Sequence, residues 1–295
     1  MQSPNRAARP GQVEVEVGRL GGDGPFPAQD LVVREDPLQI MVDGQPLGIL
    51  MRTPGSDLEL VLGLLHAEGI VRSRAEIAAV RLAPSGQASL GAVGIEVELD
   101  PEAENLVDVR LLRPRRRRAS GWQRALPSSS ACGICGSATL DAIRRTQEPV
   151  RGDLTFDVKD IFQLPDRLRS AQELFRATGG LHAAGLLLPD AGELLVAEDV
   201  GRHNAVDKLV GRMLLADRLP LTNSCLVVSG RAGFEIVQKA AAAQVAVVAS
   251  ISAPSSLAVE VARATGVTLV GFLRHQSGNV YTHPERLMPL PVALR

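Results

Sequence analysis

Two cysteines three positions apart sit in the run Ser129-Ser130-Ala131-Cys132-Gly133-Ile134-Cys135-Gly136. A thiolate serves as nucleophile or as metal ligand, and it forms more readily at a helix N-terminus or beside cations. The flanking serines and glycines predict an exposed loop at the start of a helix over 137–145. Seven arginines lie just upstream, between Arg110 and Arg124, with no acid among them. A second constellation, Glu198-Asp199-Val200-Gly201-Arg202-His203-Asn204 with Asp207 and Lys208 behind it, packs polar groups into a predicted strand-to-helix turn. His203 there, and His182 behind Gly179-Gly180, are candidates for proton transfer near neutral pH. The plainer account of the same string is an ion-pair network that caps a helix. Third, Ser229-Gly230-Arg231 and the run around Ser252 each close a predicted strand ahead of a helix. Such turns offer backbone N–H groups and a helix N-terminus to an anion, and ligands of open α/β sheets sit beyond the carboxyl ends of strands. A phosphate-bearing or nucleotide-like ligand is the expectation. Neither turn is a P-loop, so ATP chemistry is not indicated.

The thiol pair alone leaves other chemistries open. Zinc deaminases combine H-x-E with P-C-x-x-C, and this chain has His66-Ala67-Glu68 as well as Cys132-x-x-Cys135. Against that reading, Ala131 stands where the proline belongs, 64 residues separate Glu68 from Cys132, and His66 falls within an apolar helix. A thioredoxin-like centre wants its pair directly after a central strand, whereas a basic, serine-rich loop precedes this one. No bound metal is expected.

Positioning these groups calls for two parts. Residues 1–29, rich in Gly, Pro and Gln, predict a loose leader around one strand at 13–17. Residues 30–112 predict a smaller β-rich subdomain. Its strands are at 31–34 and 38–42, an Asp43-Gly44 hairpin turn leads into 47–52, and further strands follow at 80–82, 95–99 and 106–112. A helix capped by Ser56 or Asp57 runs to Ala67 and closes at Gly69. Residues 113–131 form a basic loop containing Arg115 to Arg118, consistent with a solvated segment or with a docking arm for an anionic partner. From 132 to 295 the pattern changes. Helices are expected at 165–177 and 204–216, with strands at 181–188 and 193–198. Strict alternation then follows, with strands at 225–228, 245–251 and 267–272 and helices at 235–243 and 256–265. That alternation indicates βαβ units and a mixed sheet with helices on both faces.

Composition narrows the function class. Of 295 residues, 45% are hydrophobic and 22% charged, which fits a folded soluble chain. The net charge is −1, and with the seven clustered arginines set aside 25 basic residues face 33 acidic ones. Whole-chain attraction to nucleic acid or an anionic membrane is therefore not expected. Only 3% of residues are aromatic, which leaves few platforms for stacked bases. The longest apolar stretch, 240–253, is interrupted by Gln244 and ends at Pro254, too short for a bilayer. Three cysteines make no disulfide framework, the first residues lack the apolar core of a signal peptide, and a cytoplasmic location is expected.

The quoted strings together resemble the FdhD family of formate dehydrogenase accessory sulfurtransferases. They are Met51-Arg52-Thr53-Pro54-Gly55, the Cys132 run, Gly180-Leu181-His182, the Glu198 to Lys208 string, Ser229-Gly230-Arg231, Ser252-Ala253-Pro254-Ser255, and Gly271-Phe272 with Asn279-Val280-Tyr281. The resemblance extends from about residue 30 to 290. It implies a cytidine deaminase-like α/β fold without the zinc site. It also implies a sulfur carrier that takes sulfur from a cysteine desulfurase as a persulfide on Cys132. Cys135 either resolves that persulfide or supports Cys132. The acceptor would be the bis(molybdopterin guanine dinucleotide) molybdenum cofactor (bis-MGD) of formate dehydrogenase, contacted by Phe272, Leu273, Arg274, His275, Gln276 and Ser277. The family also implies a homodimer. The rival from another class is a non-catalytic chaperone that binds and protects the same cofactor.

Overall fold

Alternating Val and Glu from Val13 to Val17 has the two-residue period of a strand. In the computed structural model it lies within β1 (Gln12–Gly21), which pairs antiparallel with β2 (Gly24–Val33). The structure describes residues 11–21, 24–83, 95–101, 105–113, 148–151, 154–188 and 192–288. The leader is thus a ribbon of two ten-residue strands; prolines at Pro25 and Pro27 mask the second one in the sequence. Cys132, Cys135, the predicted 137–145 helix and Arg115 to Arg118 lie outside the described residues.

A five-stranded sheet follows, built from β3 (Asp36–Val42), β4 (Gln45–Arg52), β5 (Ile77–Leu82), β6 (Glu96–Leu99) and β7 (Leu106–Leu111). Its order is β4-β3-β7-β5-β6. Asp43 and Gly44 join β3 to β4 with φ of 51° and 72°, the positive pair that a two-residue hairpin turn with strand-matched twist requires. One face of this sheet is covered by α1 (Asp57–Ala67), whose residues from Asp57 to Leu65 are all buried. The expected cap is absent. Ser56 is left-handed and makes no side-chain cap, and the carboxylate of Asp57, the other candidate, holds Arg52.

The second sheet has the order β10-β9-β11-β12-β13-β14. Its strands are β9 (His182–Leu188), β10 (Glu193–Asp199), β11 (Cys225–Val228), β12 (Val247–Ser250), β13 (Thr268–Arg274) and β14 (Ser277–Thr282). β11, β12 and β13 run parallel, and the remaining pairs are antiparallel. The mixed α/β architecture expected from the sequence is present. α2 (Val158–Ala171) packs across β9, β10, β11 and β13, and the short α3 (Glu173–Thr178) follows it. α4 (Arg202–Leu215), α5 (Phe234–Ala242) and α6 (Ser256–Thr265) cover the other face. α2 begins seven residues before the predicted start. Asp157 caps it by accepting from Lys159 N at 2.8 Å, and Pro165 lies inside it. A two-residue parallel pair, β8 (Phe156–Asp157) and β15 (Leu287–Met288), closes the end of the domain.

The two sheets are joined through α1 and α4, which touch backbone to backbone. A Cβ on Gly63 would lie 1.9 Å from the Asp207 carbonyl oxygen, and one on Gly211 would lie 1.8 Å from that of Glu59. Only glycine permits this approach at both points. Leu214 and Leu215 at the end of α4 complete the core under the five-stranded sheet.

Candidate functional site

The Glu198 to Lys208 string divides into two functions. Its buried members form a latch to the β4–α1 connection. Asp199 Oδ1 accepts from Gly201 N at 2.9 Å and Asn204 Nδ2 at 2.8 Å. Its Oδ2 accepts from Thr53 N at 3.2 Å and lies 2.7 Å from Lys208 Nζ. Lys208 also donates to the carbonyls of Thr53 and Glu198, Asn204 to that of Met51, and Val200 N to Thr53 Oγ1. Arg52 is sealed beside them, holding Asp57 with two nitrogens and reaching the Asp36 carbonyl and Asn105. Buried charges are tolerated when paired and hydrogen-bonded in this way. For Asp199, Asn204 and Lys208 the plainer account of the sequence is therefore the observed one. Glu198 has a related role: its carboxylate accepts from Leu174 and Phe175 N, fixing the start of α3.

The other members, Arg202 and His203, open α4 beside a cleft of about 590 Å³. His182, Val200, Ser229 and Ile251 line it from the sheet, at the carboxyl ends of β11 and β12. Pro165, Asp166, Arg169, Gln172 and Phe175 line it from α2 and α3, and Gly179 to Leu181 complete the wall. The His182 ring lies 3.4 Å from where a Cβ on Gly230 would stand, and Arg202 Cδ lies 3.5 Å from it. Burial, aided by Arg202 and His203, holds His182 below the usual imidazole value. His203 Nε2 lies 2.9 Å from Glu235 Oε2 on α5, without the alignment of a true hydrogen bond. That imidazole holds the Glu235 carboxyl below its ordinary range. One turn further along α4, Asp207 receives both its contacts from Lys239 Nζ at 2.8 Å, yet burial still pushes its pKa upward.

The two strand-end turns form one rim. Ser229 Oγ accepts from Ala183 N, Ser250 Oγ donates to the carbonyls of Gly230 and Ser252, and Ser255 N donates to the Ala232 carbonyl across a short bridge. Arg231 is exposed on this rim. The segment from Phe272 to Ser277 abuts the same place. Phe272 N donates to the Ser252 carbonyl at 3.0 Å, Arg274 donates to that of Ile251, and His275 Nδ1 stands 3.1 Å from Asp166. Phe272 is 44% exposed with φ of +54°, a conformation that is an outlier for a bulky residue and points to function. Leu273 is fully buried, so its side chain belongs to the core, while Gln276 and Ser277 are exposed. Sequence reasoning missed Asp166, Arg169, Gln172 and Phe175. Asp166 and Arg169 lie on α2, Gln172 joins it to α3 and Phe175 lies on α3, and nothing local marks any of them as cleft residues.

Two other sulfur and imidazole groups have structural roles. His66 places Nδ1 3.1 Å from the Val71 carbonyl and Nε2 3.1 Å from that of Ala242, so both ring nitrogens face backbone oxygens. Cys225 is buried in the sheet, and burial pushes its thiol pKa up. Among the described residues no cluster of His, Cys, Asp or Glu could hold a metal ion, and no helix is long and apolar enough to cross a membrane.

A mixed-sheet α/β protein whose cleft opens beyond the ends of two parallel strands is the class that fold and site define. The FdhD/NarQ family profile matches residues 33–288, and the chain belongs to that family. It is 46% identical over 266 residues to a Streptomyces coelicolor protein named sulfur carrier protein FdhD, covering 88% of this chain and 89% of the relative. The Sulfurisphaera tokodaii protein of the same name is 41% identical over 278 residues, covering 93% and 98%. The fold matches a crystal structure provisionally described as a formate dehydrogenase accessory protein from Desulfotalea psychrophila. The TM-score is 0.71 at 23% identity, with 95% of this chain and all of that one covered.

Proposed function

We propose that this protein is a sulfur carrier and sulfurtransferase serving formate dehydrogenase. The Cys132 thiolate attacks the outer sulfur of a persulfide on a cysteine desulfurase. One S–S bond forms as another breaks, Cys132 becomes the persulfide, and the donor cysteine leaves as a thiolate. The terminal sulfur then passes to bis-MGD, bound as substrate in the cleft, by one of two balanced routes: the Cys135 thiolate attacks Cys132 Sγ, closing a Cys132–Cys135 disulfide that an external thiol later reduces and releasing the outer sulfur as hydrosulfide, or Cys135 only supports Cys132, which leaves as a thiolate as the acceptor supplies the electron pair. Membership of the family over residues 33–288, a span that includes Cys132 and both walls of the cleft, is the observation that carries this reading. The cleft supports it independently. A polyanionic dinucleotide suits a cleft wall bearing Arg169, beside Asp166, with Arg202, Arg231 and Arg274 on the neighbouring turns and backbone turns at two helix starts. His182, kept neutral, can accept a proton there, and His203 is the second proton-transfer candidate. The working form is a homodimer in the cytoplasm.

Intact mass after incubation with a desulfurase and cysteine tests the carrier step. The wild type should gain one reducible sulfur, and Cys132→Ala should gain none. Full labelling of Cys132→Ala would end the assignment of the carrier to Cys132, and a variant lacking both thiols that still supports formate dehydrogenase maturation would replace this reading with the chaperone.

A further inference from the structure

Two pairs of polar side chains join α4 to α5, spaced four residues apart on each helix. His203 meets Glu235 at 2.9 Å, and one turn on Asp207 meets Lys239 with both carboxylate oxygens at 2.8 Å. The Asp207–Lys239 pair satisfies itself, whereas the other depends on the state of one ring. His203 Nε2 is buried, with the Glu235 carboxylate oxygen as its near neighbour. Lone pairs on both atoms would repel at that distance, so Nε2 carries a proton. Nδ1 makes no hydrogen bond among the described residues. Around the ring stand Arg202 and Asp207 from α4, Glu235 and Lys239 from α5, His182 from β9 and Glu68 just beyond α1. With a neutral ring, the three carboxyls of Glu68, Asp207 and Glu235 face two cations, Lys239 and Arg202. A cationic ring evens the count. Each charge of the two pairs then has an opposite charge across the helices and another four residues along its own helix.

We propose that Glu235 is a positioning residue that holds His203 as an imidazolium, making its Nδ1–H the proton donor beside the cleft and His182 the acceptor. The positive end of α4 and the neighbouring Arg202 both oppose a charge on His203, so the Glu235 carboxylate is what sustains it there. The lowered Glu235 carboxyl and the downward push of His203 on His182 agree with a cationic ring. The inference rests on the sulfur-delivery reading above and supplies that step with its proton. In the route that releases hydrosulfide, the outer sulfur of an ionised persulfide departs with the electron pair of the broken S–S bond. It takes the Nδ1 proton, so one N–H bond breaks and one S–H bond forms, and solvent reprotonates the neutral ring. The departing sulfur is reduced as the two cysteines are oxidised to a disulfide, which an external thiol reopens.

The state of the ring is read first, by nitrogen NMR of the full chain with isotope-labelled histidine at about pH 7, with His203→Gln identifying the signals. Both ring nitrogens should be protonated in the wild type and in Glu235→Asp, and the ring should be neutral in Glu235→Gln. A neutral ring in the wild type, or a cation that survives Glu235→Gln, would overturn the proposal. Delivery is read second, as the rate at which carrier with its persulfide confirmed by intact mass activates formate dehydrogenase that awaits sulfur. His203→Gln should slow delivery roughly a hundredfold or more, Glu235→Gln by a similar factor and Glu235→Asp far less. The double variant should be no slower than His203→Gln, because Glu235 acts through the ring. Additive losses would reduce the pair to a brace between α4 and α5 and overturn the positioning role. A wild type that takes up no persulfide would overturn the carrier reading and the donor role with it, while the NMR signals report separately whether Glu235 holds the charge.

Discussion

Replacing Gly211 by alanine probes the crossing on which the relation between the two sheets depends. The added methyl would stand 1.8 Å from the Glu59 carbonyl oxygen and 2.6 Å from its carbon. A relaxed C···O contact needs about 3.3 Å, so α1 and α4 must part by roughly 1.5 Å. The contacts that Lys208, Asn204 and Thr53 make across this junction span 2.9 to 3.2 Å. An equal displacement takes them beyond hydrogen-bonding range. Overpacking costs about 1–3 kcal/mol, and each hydrogen bond lost to a buried charged group adds about 1.5–3 kcal/mol. Alanine returns at most about 1 kcal/mol through helix propensity. With the Lys208–Thr53 and Thr53–Asp199 bonds both lost, the expected net loss is at least about 3 kcal/mol, measured by urea denaturation as a lower midpoint at unchanged slope. Gly18→Ala serves as the reference, since its Cβ meets only Pro25 Cβ at 3.6 Å, an ordinary contact. It should stay within about 0.5 kcal/mol of wild type. Should Gly211→Ala match Gly18→Ala, the backbone contact is not what holds the helices together, and the reasoning is refuted.

Two further outcomes concern the cleft. His182 is held below its usual value of 6.5. As pH falls below 6.5 the unfolded chain therefore takes up the proton first, and stability declines through that window while remaining intact above it. His182→Gln should flatten that segment of the denaturation profile, and an unchanged slope would show that the ring does not titrate as described. Phe272→Gly removes a strained conformation worth about 1–3 kcal/mol. It should leave stability equal or higher while weakening GDP binding by calorimetry; a clear loss of stability would mean that the ring packs rather than presents itself.

Much of the frame was legible because it depends on local rules. Asp43-Gly44 specified its turn outright, and alternation after residue 225 specified parallel strands under helices. What escaped notice was set by distant partners. β2 hides behind two prolines tolerated only because its outer side is free. β14 is polar and short because it lies at a rim, so it lacks the alternation that marks half-buried strands. The Glu198 to Lys208 string was ambiguous for the same reason. Asp199, Asn204 and Lys208 look like chemistry until Met51 and Thr53, some 150 positions earlier, are seen to satisfy them. Only Arg202 and His203 keep the catalytic option that the residue types suggested. Phe272 could not be singled out from composition, since its peculiarity is a backbone angle.

The Thr53 connections also bear on whether the polypeptide can be divided. A fragment starting at residue 154 would retain Asp199, Asn204 and Lys208 but forfeit the main-chain groups of Met51 and Thr53 that saturate them. The N-terminal piece would in turn present the apolar underside of its sheet and α1 to water. Neither piece is autonomous. The gene therefore cannot be shortened to its cleft-bearing half, and loss of the first sheet in any descendant would have to be matched by apolar replacements at 199, 204 and 208 together.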